Sequence, residues 1–333
     1  MNSHGGPFDV VTLGETMALL SAPRIGPLRH ARSLDVAVGG AESNVAVGLT
    51  RLGLRVAWLG RIGDDEFGRL VHGTLAGEGV DVSGAVVDPG APTGLMVKAR
   101  RTNTSTEVTY YRAGSAGSRL CRKDVDAALL RGARVLHVTG ITPALSASAR
   151  DAVDAALAEA DTGTLVSVDL NYRQALWPPA DAAPVLRRLV ERCDVLFATE
   201  SEARLVLGDP RAGSGADGPS PVELAVQLAD LPGGPRQVLL KRGARGAVAV
   251  VDGAVYEAPR HHVEAVDPVG AGDAFAAGYL AELLAGSDVP ARLATAAAAG
   301  AFAVTVSGDW EGLPRRDELA LLQLLDADDA VVR

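Results

Sequence analysis

A chain of 333 residues, 47% hydrophobic and 22% charged, has the makeup of an ordinary globular protein and the length for one large α/β domain with a small appendage. Its formal net charge of −9 argues against a nucleic-acid-binding surface, and no uninterrupted apolar run approaches the length of a membrane span. Cys121 and Cys193 lie far apart and form no CxxC, so no disulfide framework is expected. The opening MNSHGGPFDVV lacks the basic stretch and apolar core of a secretion signal, and a cytoplasmic location is expected.

Along the chain, short β-rich runs alternate with stretches of helical spacing. Strands are predicted over 10–13, 56–59, 135–138, 165–170, 195–197 and 238–240, and helices over 42–52, 67–77, 147–160 and 182–192. This alternation predicts a mostly parallel sheet with helices on both faces, within a single domain over 1–333. Two regions break the rhythm. Residues 31–39 and 93–112 read as strands with no helix between, and the turn-like 102–106 makes the second a hairpin. They are expected to form a small lid sheet; the competing reading is an antiparallel edge on the main sheet. Residues 208–221 read as a Gly-, Pro- and Ser-rich loop, and the terminal ADDAVVR is expected to fray.

The segment 267–284, DPVGAGDAFAAGYLAELL, carries chemistry. Gly270, Ala271 and Gly272 form a tight turn that opens a helix, whose unpaired N–H groups and dipole can hold phosphate oxygens. Asp273 then stands on the first helical turn, placed to take a proton from an attacking hydroxyl. The competing reading is a simple helix cap. A dinucleotide fingerprint fits poorly because Phe275 stands where Gly or Ala is needed, and no GxxxxGK[ST] loop exists. Further upstream, 39–53 reads GGAESNVAVGLTRLG: a glycine turn, then a helix with Asn44 on its first turn, an amide suited to sugar hydroxyls. Next comes VAWLGRIGDDEFG over 56–68, in which Gly63-Asp64-Asp65 also reads as a plain turn and helix cap.

Together, GGAESNVAVGLTRLG…GRIGDDEFG and DPVGAGDAFAAGYL resemble the two signature regions of the ribokinase-like, or phosphofructokinase B, sugar kinases. The resemblance covers nearly the whole chain. It implies a Rossmann-like α/β domain with a β-sheet lid, ATP as donor, Mg²⁺ as helper and a monovalent cation as a further expectation. It also implies that Asp273 is the base and that the amides of Gly270, Ala271, Gly272 and Asp273 form the anion hole.

Four middle segments, YYRAGSAGS, GITPALS, DLNYRQALW and KRGARGA, are similar to the 2-keto-3-deoxygluconate kinase branch. Such a substrate carries a carboxylate, which needs a cation or several donors when taken out of water. Arg112 and Arg173 lie in these segments and by resemblance face the sugar acid. By the same carry-over Gly40, Ala41, Asn44, Tyr110, Ile141 and Asp309 line the sugar site. Asn171 and Arg173 border the nucleotide phosphates or the sugar, and Lys241, Gly243 and Gly246 shape the ATP site. Strand alternation lets only one of Tyr110 and Tyr111 face the pocket. Met96 replaces a Tyr found in some relatives. The family's N-x-x-E appears as Thr199 to Glu202, leaving Glu202 to order water around Mg²⁺. Pro268 stands where many relatives have Thr. The adjacent His261 and His262 have no third ligand at a known spacing. Alternatives are another sugar kinase of fructokinase or ribokinase type, or a sugar-binding relative without catalysis. A homo-oligomer is expected, formed through the lid's edge.

Overall fold

A computed structural model of the chain describes residues 8–102, 105–160, 163–209 and 218–322. The expected frayed terminus, the tip of the hairpin at 103–104 and most of the 208–221 loop lie outside them. The strands are β1 Val10–Leu13, β2 Met17–Ser21, β3 Asp35–Gly39, β4 Val56–Gly63, β5 Ala85–Asp88, β6 Leu95–Thr102, β7 Ser105–Tyr111, β8 Val135–Thr139, β9 Leu165–Asp169, β10 Val195–Thr199, β11 Gln237–Lys241, β12 Ala247–Val251 and β13 Ala254–Glu257. The α-helices are α1 Ala41–Arg51, α2 Glu66–Gly77, α3 Ala127–Leu130, α4 Thr142–Leu145, α5 Ala147–Glu159, α6 Pro179–Val190, α7 Glu200–Leu207, α8 Pro221–Ala229, α9 Ala271–Ala285 and α10 Val289–Ala303.

Nine strands form the main sheet in the order β13-β12-β11-β10-β9-β8-β1-β4-β5. It is parallel from β5 to β11, and β12 and β13 add an antiparallel edge. Alternation sends Val10, Val135 and Phe197 into a core with α1, α2, α9 and α10, and Val11, Leu136 and Leu196 into a second core with α5 to α8. The order reverses beside β1, and in open α/β sheets the crevice at such a point takes ligands at the carboxyl ends of the strands. Helix α9 is buried nearly all round, between α1 and α10. At Gly48 a Cβ would come 2.8 Å from the Cβ of Ala277, so glycine lets α1 and α9 touch.

The remaining strands form a separate sheet, β3-β2-β6-β7, as the broken rhythm predicts. Its make-up differs from the expectation. Met17–Ser21 supplies an unpredicted central strand that runs parallel to β6, and residues 31–34 precede β3 rather than belonging to it. Among the described residues, no helix is long and apolar enough to cross a membrane.

Candidate active site

A cavity of about 500 Å³ opens between the second sheet and the carboxyl ends of the parallel strands. Glu15 follows β1, Ile141 follows β8, Asn171 follows β9, and Thr199 and Lys241 end β10 and β11; all five line it. On its floor α9 begins. Gly270 precedes that helix with φ +78°, and a Cβ there would lie 2.0 Å from the carbonyl oxygen of Asp309, so only glycine fits. Asp273 stands on the first turn of α9, but its side chain makes no cap. Its Oδ2 accepts from Asn44 Nδ2 at 2.8 Å. Burial pushes the Asp273 carboxyl up to about 7, against the pull of the Asn44 bond and of Lys241 and Arg173. Gly270 takes the N-cap position with no side-chain cap bond, so the simple-cap reading of Asp273 fails.

A second cavity of about 400 Å³ adjoins the first and is lined mostly by apolar residues, including Val263, Phe275 and Ala297. Lys241, Gly243, Pro268 and Gly272 line both cavities. Gly246 and Ala271 line only the second. Lys241 Nζ donates to Asp169 Oδ2 at 2.5 Å and would stand 3.1 Å from a Cβ on Gly272. An ammonium and a helix N-terminus thus meet at the junction of a polar cavity and an apolar one.

The model of the pfkB family of carbohydrate kinases matches residues 8–316. The chain belongs to that family. It is 40% identical over 323 residues to the 2-dehydro-3-deoxygluconokinase of Thermoproteus tenax, covering 96% of this chain and 95% of the relative. It is 37% identical over 305 residues to the 2-dehydro-3-deoxygalactonokinase of Haloferax volcanii, covering 90% and 92%. The crystal structure of the Thermotoga maritima 2-dehydro-3-deoxygluconokinase superposes with a TM-score of 0.86 at 30% identity, over 94% of this chain and 97% of that one. A putative ribokinase II from E. coli, in complex with ATP and Mg²⁺, superposes with a TM-score of 0.85 at 26% identity, over 96% and 99%.

Apart from Gly246 and Ala271, every site residue expected from this family's motifs lines the first cavity: Gly40, Ala41, Asn44, Tyr110, Arg112, Ile141, Asn171, Arg173, Glu202, Lys241, Gly243, Gly270, Gly272, Asp273 and Asp309. Tyr110 faces it, whereas Tyr111 does not line it and is 63% exposed, as alternation requires. Their partners revise several roles. The Asn44 amide expected for sugar hydroxyls is committed to Asp273. Arg112 is ion-paired with buried Glu15, Nη2 to Oε2 at 2.5 Å, and Ser115 donates to the same carboxylate. Arg173 is exposed, and its hydrogen bond goes to the Tyr172 carbonyl at 3.5 Å. Both Glu202 oxygens accept backbone amides, from Thr199 at 2.7 Å and Tyr172 at 2.8 Å. Thr199 caps α7 in a reciprocal box with Glu202.

Sequence reading missed four cavity or near-cavity groups. Glu15 follows the first strand, and its place at a carboxyl end was the available signal. Glu42 is buried beneath the cavity and accepts from the hydroxyls of Thr139 and Thr142, each at 2.7 Å. Burial raises its pKa. Lys98 and Asp267 form a buried pair at 2.6 Å, with no local pattern to announce it.

Proposed function

We propose that the chain transfers the γ-phosphoryl group of ATP to the terminal hydroxyl of 2-keto-3-deoxygluconate, giving the 6-phosphate. The observation that carries this reading is Asp273, desolvated and hydrogen-bonded to Asn44 on the first turn of α9, where the two cavities meet. ATP supplies the phosphoryl group, and Mg²⁺ bound with it would neutralise phosphate charge. The apolar second cavity suits the adenosine end. The amides at the start of α9 and the Lys241 ammonium then face the transferring group and offset its charge. Asp273 Oδ2 is engaged by Asn44, so Oδ1 is the oxygen left to accept the hydroxyl proton.

Among the described residues there is no cluster of three or more His, Cys, Asp or Glu that could hold a metal. Mg²⁺ therefore fits as a companion of the phosphates. Glu202, expected to order water around it, lines the first cavity and accepts backbone amides on both carboxylate oxygens. A monovalent cation remains a further expectation of the family, and no step is routed through one. The acid end of the substrate points away from Asp273 toward the second sheet, which we read as a lid. Arg173, the less engaged of the two arginines, supports acid recognition, and Arg112 and Tyr110 line the same cavity. Exposed Val36 and Tyr111 on the lid support the expected pairing with a second copy, and a cytoplasmic location completes the reading.

The test is ATP turnover with 2-keto-3-deoxygluconate, its galacto epimer, fructose and ribose. A keto acid should give the highest kcat/KM. A preference for a neutral sugar would sink the substrate assignment and leave only a family sugar kinase.

A further inference from the structure

Lys98 is a lysine that water scarcely reaches: its side chain is 5% exposed. It sits on β6 of the second sheet, yet both of its partners belong to loops at the phosphate end of the main body. Nζ contacts Asp267 Oδ2 at 2.6 Å and Asp309 Oδ1 at 3.1 Å. Burial opposes its charge, but the two carboxylates outweigh that and hold it protonated. Lysines are almost never this buried unless paired, and a buried ion pair costs desolvation that packing apolar groups would avoid. Its presence therefore needs a reason other than bulk stability.

The two partners supply one. Asp267 opens the turn that leads into α9; its Oδ1 accepts from Val269 N at 3.2 Å and its Oδ2 from Gly308 N at 3.3 Å. Asp309 places its carbonyl oxygen against Gly270, the residue that sets the entry angle of α9. One ammonium from the lid thus grips both supports of the 267–270 turn. Lys98 also lines the cavity assigned to the acceptor, as does its neighbour on the same strand, Met96. Any seating or lifting of β6 moves the charge that braces the turn.

We propose that Lys98 is a positioning residue that couples the seating of the second sheet over the acceptor to the alignment of the phosphate turn. Acceptor bound beneath the sheet holds β6 down, Lys98 then fixes Asp267 and Asp309, and the start of α9 is aligned for phosphoryl transfer. This rests on the kinase reading above but not on the identity of the acceptor. Acceptor and nucleotide should therefore bind with positive coupling through Lys98, and because coupling is reciprocal it is measurable from either ligand.

The experiment compares wild type with Lys98→Met, using whichever acceptor wild type phosphorylates best. Calorimetry measures the Kd of a non-hydrolysable ATP analogue with and without saturating acceptor. Wild type should bind the analogue at least about fivefold more tightly with acceptor present, the lower end of ordinary allosteric coupling. Lys98→Met should lose that difference. Its kcat should also fall by about 10²-fold, the scale of a misplacement on the order of 1 Å at a reacting centre. A merely structural lysine would lower the melting temperature and leave the coupling in place. Should Lys98→Met fail to fold, Lys98→Gln carries the same comparison, since its amide keeps a donor for the carboxylates without the charge. Wild-type coupling in a folded variant, with kcat within about threefold of wild type, overturns the proposal. Absence of phosphorylation of every acceptor by wild type would instead defeat the kinase reading itself.

Discussion

Two places in this protein carry a glycine turn, an aspartate and the start of a helix, and they do opposite things. At the start of α2, Asp65 is the N-cap: its Oδ1 accepts from Gly68 N at 2.7 Å and its Oδ2 from Thr93 N at 2.8 Å. Partial burial opposes its charge, but the Thr93 and Gly68 amides hold its carboxyl below the usual carboxylate range. At the start of α9, Gly270 takes the cap position, and Asp273 lies inside the first turn, bonded to a side-chain amide from another helix. There burial wins and pushes the carboxyl up to about 7. A carboxylate that spends its lone pairs on amides is a structural staple. One that is desolvated and kept from capping has its pKa raised, which suits the base role proposed for Asp273.

The sharpest way to break that comparison is to neutralise each aspartate in turn. Asp273→Asn should lower kcat by at least about 10²-fold with acceptor binding largely kept, whereas Asp65→Asn should leave kcat within a few-fold. Steady-state kinetics on both variants checks this, and a near wild-type rate in Asp273→Asn would remove the base. Next in size is the arginine proposed to face the acid. Arg173→Ala should cost roughly ten- to a hundred-fold in kcat/KM on keto acids and little on neutral sugars, because only the acid loses a charge-assisted contact. Equal losses on both would reassign Arg173 to the nucleotide phosphates.

The pH dependence sharpens the contrast further. Asp273 must be ionised to act, so kcat/KM should fall about tenfold per unit as pH drops below 7. The sign for stability is the reverse. With its folded pKa raised, Asp273 contributes stability that is full below its unfolded value and is lost as pH rises through about 7. Thermal melts should therefore show Asp273→Asn more stable than wild type at pH 8, with the gap closing toward pH 4. A constant gap would contradict the raised pKa. The smallest effect belongs to the cap: Asp65→Ala should cost about 1 kcal/mol in denaturant unfolding and show no such pH-dependent gain.

What the sequence determined by itself is what local pattern encodes. Alternating β and α periodicity gave the parallel sheet, and the broken rhythm at 31–39 and 93–112 gave a second sheet. The GAG turn before Asp273 gave the start of α9, because a glycine turn and a helix start within four residues act on one another through the backbone. Short strands bounded by loops escaped. Met17–Ser21 pairs in parallel with β6, a partner that no local pattern marks. Tertiary structure alone decided the state of the charges. Arg112 meets Glu15 across 97 positions of sequence, and Lys98 meets Asp309 across 211. Whether an arginine is free for a substrate, or an aspartate is a cap or a base, depends on which groups the fold brings within hydrogen-bond reach and how much water it removes. Those quantities are set by packing between distant segments, and residue order along one segment does not carry them.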